Sequence, residues 1–194
     1  MLLTTVPDLT SVPVHPAKPR RPFANDKLAR EFDQYTLPTP VGEPRIIRES
    51  SACRCTFNVM PEKSVDEVLR IKEYRAWDNY VEGVFDREYS SSMLRSPQHL
   101  VMLTTLAHVQ KLAYVWACHH FGFDYDPFGL EKVKFWWTRT NIRLPGLITQ
   151  EHDVVQWFHV PRIQRVSDTT YHLLVASGVG DGAFISAETP MYII

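Results

Sequence analysis

The alternation of apolar and polar side chains predicts strands in the first half of this 194-residue chain. Residues 52–60, "ACRCTFNVM", alternate strictly, with Cys53 and Cys55 on one side, which indicates a strand with one buried face. Residues 67–74 repeat the alternation more weakly. Residues 76–95 show no clear period, and we expect a long loop there.

The longest apolar run extends from Ser96 to Gly122 and predicts a helix. Ser96 followed by Pro97 is a typical helix start. The serine hydroxyl can cap free backbone amides, and proline is tolerated in the first turn because the N–H that it lacks would have no partner within the helix. Gly122 predicts the end of the helix. Such a helix would be about 37 Å long, and because it is apolar on nearly all sides it must be covered on most of its surface.

After the helix the pattern changes to strands separated by turn residues. Four are predicted, at residues 132–143, 153–166, 170–179 and 182–193. Strands, one long helix and then a meander of strands predict an α+β hot-dog fold, in which an antiparallel sheet wraps around a central helix.

The N-terminal residues have a different composition. Residues 1–24 contain five prolines and the basic cluster "KPRR", which favours an extended arm. Residues 25–35 have apolar residues at helical spacing and predict a short helix that opens the folded part. We therefore expect an arm at 1–24 and a single hot-dog domain at 25–194.

Composition restricts the class of partner. Lys and Arg total 21 and Asp and Glu total 22, so the balance does not favour nucleic acid, whereas 44% hydrophobic residues suit a small hydrophobic partner. The three cysteines are an odd number with Cys-x-Cys spacing, which is typical of reduced thiols rather than of disulfides or a metal site. Without a signal-peptide pattern or a membrane-spanning run, we expect a cytoplasmic protein with no metal or cofactor.

Polar residues on the apolar helix are the first candidates for chemistry. At 100° per residue, His99 and Gln110 share one stripe with Leu103 and Leu106, and we expect that stripe to be buried. A buried imidazole or amide needs a partner, and a satisfied core residue is as reasonable an interpretation as a catalytic one. His108 faces the other way, where we expect a solvent-exposed edge that also holds Thr104, Lys111 and His119.

The predicted first turn and the acids outside the helix suggest how a reaction could work. His99 would lie where free backbone amides and the helix dipole stabilise an oxygen that gains negative charge. Residues 96–121 contain no Asp or Glu, so a carboxylate base must come from elsewhere. Glu82, in the apolar segment "YVEGVF", is the preferred candidate, although a surface charge is the commoner role for such a residue.

Several short segments resemble one enzyme family. They are "LAREFDQY" ending at Tyr35, "CR" at 53–54, "LRSPQH" leading to His99, and "KLAY" at 111–114. On these segments, residues 25–194 resemble the FcoT-like hot-dog thioesterases of actinobacteria, which act on long-chain fatty acyl-CoA. The resemblance matches Tyr35 and His99 to functional residues of the family. Gln110 replaces a family Asn, and Met93, Val101 and Thr104 replace a Tyr, an Asn and a Glu.

The resemblance implies an enzyme that acts on acyl thioesters of CoA or an acyl carrier protein. Some relatives add glycine to an α,β-unsaturated acyl thioester, so the expected reaction is hydrolysis, glycine addition or both. Gln110 and Tyr35 would position the reactants, with Glu82 or His99 as base.

Three strand residues complete the expected site. Arg54 or Arg139 would anchor the glycine carboxylate, and Trp137 would line an acyl channel or fill the core. The architecture also implies a homodimer. A hot-dog dehydratase or hydratase, and a non-catalytic lipid-binding cup, remain alternatives.

Overall fold

The structure is a computed structural model that describes residues 39–93, 100–129, 132–144, 146–180 and 183–194. The expected arm at 1–24 and the expected helix at 25–35 lie outside the described residues. No helix in these ranges is long and apolar enough to cross a membrane.

Among the described residues, four strands precede the helix: β1 (Arg45–Arg48), β2 (Ala52–Met60), β3 (Lys63–Ala76) and β4 (Tyr80–Ser91). The strand predicted at 52–60 is confirmed as β2, with partly buried Cys53 and Cys55 alternating with exposed neighbours. The segment predicted at 67–74 lies within the longer β3.

The prediction of a loop at 76–95 is wrong, because β4 occupies most of this segment and pairs with β3. The first half of β4 is buried on both faces, at Tyr80, Val81, Val84 and Phe85. A strand buried on both faces has no apolar–polar alternation to detect.

The single helix of the described residues, α1 (Met102–Phe121), is shorter than expected. The predicted start at Ser96 is wrong, because the N-cap residue is Val101, which has an extended backbone. The 20 residues of the helix span about 30 Å. Gly122 ends the helix as predicted. It adopts a left-handed conformation with a φ of 71° and donates its amide to the last turn.

In the part of the chain that the structure describes after the helix there are five strands: β5 (Val133–Phe135), β6 (Arg139–Arg143), β7 (Val154–Arg165), β8 (Thr170–Val179) and β9 (Ala183–Ile193). The last three strands confirm the prediction, whereas the strand expected at 132–143 is divided into β5 and β6. Both of these pair with β9.

All the strands form one antiparallel sheet in the order β1-β3-β4-β7-β8-β9-β5, with β2 also on β3 and β6 also on β9. The helix contacts β2, β3, β4, β5 and β7. One long helix against a curled antiparallel sheet is the α+β hot-dog fold that the order of elements predicts.

The orientation expected for the first half of α1 is wrong. Leu103 is 53% exposed and Gln110 is exposed, whereas Thr104 and His108 are buried. His108 points inward, where Gln156 on β7 supplies a hydrogen-bond partner for its Nδ1. Two residues of the stripe, Leu106 and Gln110, line a surface groove.

Candidate functional site

A groove runs along the exposed side of α1, between the helix and strands β6 and β9. Its volume is about 380 Å³, which falls within the usual range for small-molecule pockets. The lining is mostly aliphatic and aromatic, and consists of Leu106, Ala107, Val109, Gln110, Trp137, Thr140, Ile142 and Ile185.

The groove brings together two residues that the sequence singled out, Gln110 and Trp137. Trp137 is half-buried and presents an aromatic wall, whereas Gln110 and Thr140 supply the polar groups of the described lining. The side-chain amide of Gln110 can donate a hydrogen bond to a carbonyl oxygen. None of the described lining residues titrates near neutral pH.

The two candidate anchors for a carboxylate do not meet in this groove. Arg139 alternates with Thr140 and Ile142 along β6, so its side chain lies on the opposite face of the strand. It pairs with Glu188 at 3.8 Å. Arg54 lies on β2, near the other end of the sheet path, and pairs with Asp66 at 3.7 Å.

Glu82 is also separated from the groove. Its neighbours Gly83 and Phe85 face the helix, where both meet His108, so Glu82 points to the other face of the sheet. There it accepts a hydrogen bond from Tyr80 at 3.2 Å and lies 3.7 Å from Arg75.

Tyr35 and His99 lie outside the described residues. The first turn of α1 begins at Met102, three residues after His99 in the sequence. Val101 has an extended backbone, and the Leu100 amide donates to the Ile148 carbonyl.

A buried ion pair reaches the helix start. The Glu67 carboxylate accepts a hydrogen bond from the Val101 amide at 3.0 Å and another from Arg87 at 3.2 Å. Both charged side chains are 0% exposed. Burial raises the pKa of Glu67, and the hydrogen bonds that it accepts lower it. At least one of the backbone amides that we expected to stabilise a substrate oxygen, that of Val101, therefore already donates to Glu67.

A second polar arrangement lies on the buried side of α1 and centres on His108. Its Nδ1 lies 2.9 Å from Gln156 Oε1. Gln156 Nε2 donates to the Thr105 carbonyl and to Ser177 Oγ, which leaves its oxygen facing the imidazole. His108 Nδ1 therefore carries the proton and Nε2 holds a lone pair.

The surroundings of His108 include four further polar side chains. Tyr74 lies beside it with ring centroids 6.0 Å apart. The Tyr125 hydroxyl donates a hydrogen bond to the Glu49 carboxylate, and Glu49 Oε1 lies 3.5 Å from Lys111 Nζ. Burial lowers the pKa of His108 to about 4, so the imidazole is neutral at physiological pH. We call Glu49, Tyr74, His108, Lys111, Tyr125 and Gln156 the interior polar cluster.

Sequence reasoning missed this cluster and the Glu67–Arg87 pair. Both depend on contacts between residues far apart in the chain, which periodicity does not report. One local signal existed, because Gln156 interrupts the otherwise apolar run "VVQWF" in a strand. A buried amide in such a position requires polar partners.

Comparison with known proteins gives likenesses in structure alone. No family model matches the chain. No curated protein sequence matches it either. A mutant thioesterase from Pseudomonas aeruginosa is 10% identical, with a TM-score of 0.39 over 65% of this chain and 82% of its own. A thioesterase from Haemophilus influenzae is 5% identical, with a TM-score of 0.40 over 64% and 78% of the two chains. The hot-dog fold of this chain is shown by its own strand order and helix packing.

Proposed function

We propose that this protein is an enzyme that acts on acyl thioesters of CoA or of an acyl carrier protein, and that the groove along α1 binds the acyl chain. The observation that carries the proposal is the placement of the Gln110 amide within an apolar groove walled by Trp137. An aliphatic chain buries apolar surface there, while the amide meets the carbonyl at its polar end.

The reaction we propose is attack on the thioester or on its conjugated double bond. In hydrolysis, water adds to the carbonyl carbon, the carbon–sulfur bond breaks and the thiol leaves with a proton. In glycine addition, the amine bonds to the β-carbon and the enolate is protonated at the α-carbon. Both place negative charge on the same carbonyl oxygen, which the Gln110 amide would stabilise by donating a hydrogen bond.

The base in this proposal is His99, with Tyr35 as a positioning group. Glu82 is the weaker of the two candidates, because it lies on the sheet face away from the helix. Arg139 would have to leave Glu188 to bind a carboxylate, and Arg54 would have to leave Asp66. Hydrolysis needs neither arginine, so the present pairing of both favours hydrolysis over glycine addition.

One observation favours a second candidate function, a non-catalytic cup for a lipid-like ligand. The described groove residues include no acid, base or nucleophile that would act at neutral pH. In a cup, Gln110 would hold the polar head of the ligand and no bond would change.

The test is incubation with a saturated and an α,β-unsaturated acyl-CoA, with and without glycine, followed by thiol detection and product mass. Thiol release supports hydrolysis, and a mass gain of one glycine supports addition. A gain of one water would indicate a hydratase. Binding without turnover would overturn the enzyme proposal in favour of the cup. Gln110→Ala should lower turnover, while Gln164→Ala, an exposed glutamine on β7, serves as the matched control.

A further inference from the structure

The strands that follow the helix are basic, although the chain as a whole is balanced in charge. Strands β5 to β9 contain a single acid, Glu188, and five cations, which are Lys134, Arg139, Arg143, Arg162 and Arg165. The whole chain has 21 Lys and Arg residues against 22 Asp and Glu residues. Positive charge is therefore concentrated in one part of the sheet, and such a concentration attracts an anionic partner.

The sheet register places three of these cations in a row on one face. They lie opposite residues of β9 that are four positions apart, with Lys134 opposite Tyr192, Arg139 opposite Glu188 and Arg143 opposite Phe184. Residues an even number of positions apart on a strand share a face, and at about 3.3 Å per residue the neighbours in the row are about 13 Å apart and its ends about 26 Å apart. The row faces away from the helix, because Val133 and Phe135, which alternate with Lys134, pack in the core. We call Lys134, Arg139 and Arg143 the basic row.

Two exposed aromatic side chains accompany the basic row. Trp136 directly follows β5 and is 71% exposed. Its neighbours Phe135 and Trp137 both pack against the core, so Trp136 points to the other side, where the row lies. Tyr192, opposite Lys134, is 41% exposed. Trp, Tyr and Arg are the residues most enriched where one protein binds another.

Strand β6 connects the basic row with the acyl groove. Thr140 and Ile142 line the groove on the side of β6 that faces the helix, and Arg139 and Arg143 lie on the opposite side of the same strand. Within the described ranges β6 pairs with β9 alone, so its other edge is open. A chain attached to a partner on the basic row therefore reaches the groove by passing over the edge of a single strand.

The length of the basic row favours a protein partner over the nucleotide part of CoA. A phosphate group is bound by cations that converge on it within hydrogen-bond distance, whereas this row extends over about 26 Å. A second copy of this chain is disfavoured as well, because a two-fold interface at this face would bring like charges together. An acidic protein surface can meet all three cations at once.

We infer that the basic row is the docking surface for an acidic protein, and that this protein is the carrier that presents the acyl thioester to the groove. The inference rests on the proposed function, in which CoA and a carrier protein are alternatives, and it selects the carrier protein. Acidic side chains of the partner pair with the row, and Trp136 packs against its apolar surface. The acyl chain on the partner's thiol-bearing arm then enters the groove beside Gln110.

The experiment measures binding of an acyl carrier protein of negative net charge, with its thiol arm but without an acyl chain, by fluorescence anisotropy. The wild type should bind it with an affinity that falls as salt is added. Lys134→Glu combined with Arg143→Glu should weaken binding on the order of tenfold or more. Lys134→Gln combined with Arg143→Gln, which removes the charges without reversing them, should give an intermediate affinity.

The matched control is Arg48→Glu combined with Lys63→Glu. It reverses two exposed charges on β1 and β3, at the other end of the sheet path, and should bind the carrier protein like the wild type. Equal affinities of the wild type and the variant reversed at Lys134 and Arg143 would overturn the inference, as would a wild type that does not bind the carrier protein. Tighter binding of a single-stranded oligonucleotide than of the carrier protein would also overturn it, in favour of a nucleic-acid surface.

Hydrolysis of acyl-CoA by the same proteins separates the inference from the proposed function. Reversal at Lys134 and Arg143 should leave this hydrolysis unchanged, because neither residue lines the groove. A parallel loss of acyl-CoA turnover would show that the row holds CoA and would overturn the inference. Carrier binding that depends on the row, in a protein that hydrolyses no thioester, would support the docking surface and contradict the proposed enzyme.

Discussion

The imidazole of His108 lies so close to the backbone of Gly83 that a β-carbon built at position 83 would be 2.7 Å from its Cε1 atom. The same carbon would lie 3.0 Å from Leu112 Cδ2. A helix side chain thus packs directly on the main chain of a central strand. The close approach is possible only because that strand has a glycine there.

Gly83→Ala should therefore lower the free energy of unfolding by about 1 to 3 kcal/mol, because the added methyl group overpacks a buried contact. Urea denaturation measures the change. Gly146→Ala is the matched control, since no atom lies within 4 Å of its new methyl group. Equal stability of the two variants would contradict the contact between Gly83 and His108.

Acid should destabilise the fold through His108. Its pKa is about 4 in the folded protein and 6.5 in the unfolded chain, so the unfolded chain binds the proton first as the pH falls. The stability associated with the neutral imidazole is complete above pH 6.5 and decreases between pH 6.5 and about 4. The decrease amounts to about 3 kcal/mol.

Urea denaturation at a series of pH values tests this contribution. The wild type should lose about 3 kcal/mol more than His108→Gln between pH 7 and pH 4. Parallel pH profiles for the two proteins would show that His108 is not buried in its neutral form. His152→Gln, which changes an exposed histidine, should follow the wild-type profile.

The buried pair of Glu67 and Arg87 should behave as a unit. Glu67→Leu or Arg87→Leu alone leaves an unpaired charge in the core and should cost about 3 to 5 kcal/mol. The double variant should be more stable than the sum of the two changes predicts, because it removes both charges. A double-mutant cycle in urea measures the coupling. Additive losses would show that the two charges do not interact.

The groove makes a prediction about ligand size. Leu106→Trp adds bulk to the lining and should weaken binding of a long acyl chain on the order of tenfold, which corresponds to about 1.4 kcal/mol. Leu103→Trp is the control, because Leu103 is exposed on the same helix and is not part of the lining. Displacement of a fluorescent fatty acid measures both affinities. If neither variant weakens binding, the chain does not lie in this groove.

Much of the fold could be predicted because the relevant signals are local. The alternation in β2, the turn residues around β7, β8 and β9, and the glycine after α1 each depend on a few neighbouring residues. β4 was missed because it is buried on both faces in its first half, which removes the alternation. The helix start was misplaced because Ser96 and Pro97 fit the rules for a cap, while Glu67 fixes the turn at Val101 from a distant strand.

The candidate site was predicted less well, for a reason that α1 makes clear. A helix that is apolar on nearly all sides does not reveal which stripe is covered. Leu103 and Gln110 are exposed. His108 lies inside, because Gln156 and Tyr74 beside it are contributed by strands elsewhere in the chain. Gln110 and Trp137 were still identified, since an isolated amide and an aromatic residue are conspicuous in the sequence itself.

The carboxylate of Glu67 joins β3, β4 and the residue before α1 at a single point. Directional hydrogen bonds of this kind permit one axial position of the helix relative to the sheet, whereas an aliphatic contact of similar volume would tolerate sliding by part of a turn. The position of Gln110 along the groove is thereby set by an ion pair that contacts Val101, about two and a half helical turns away.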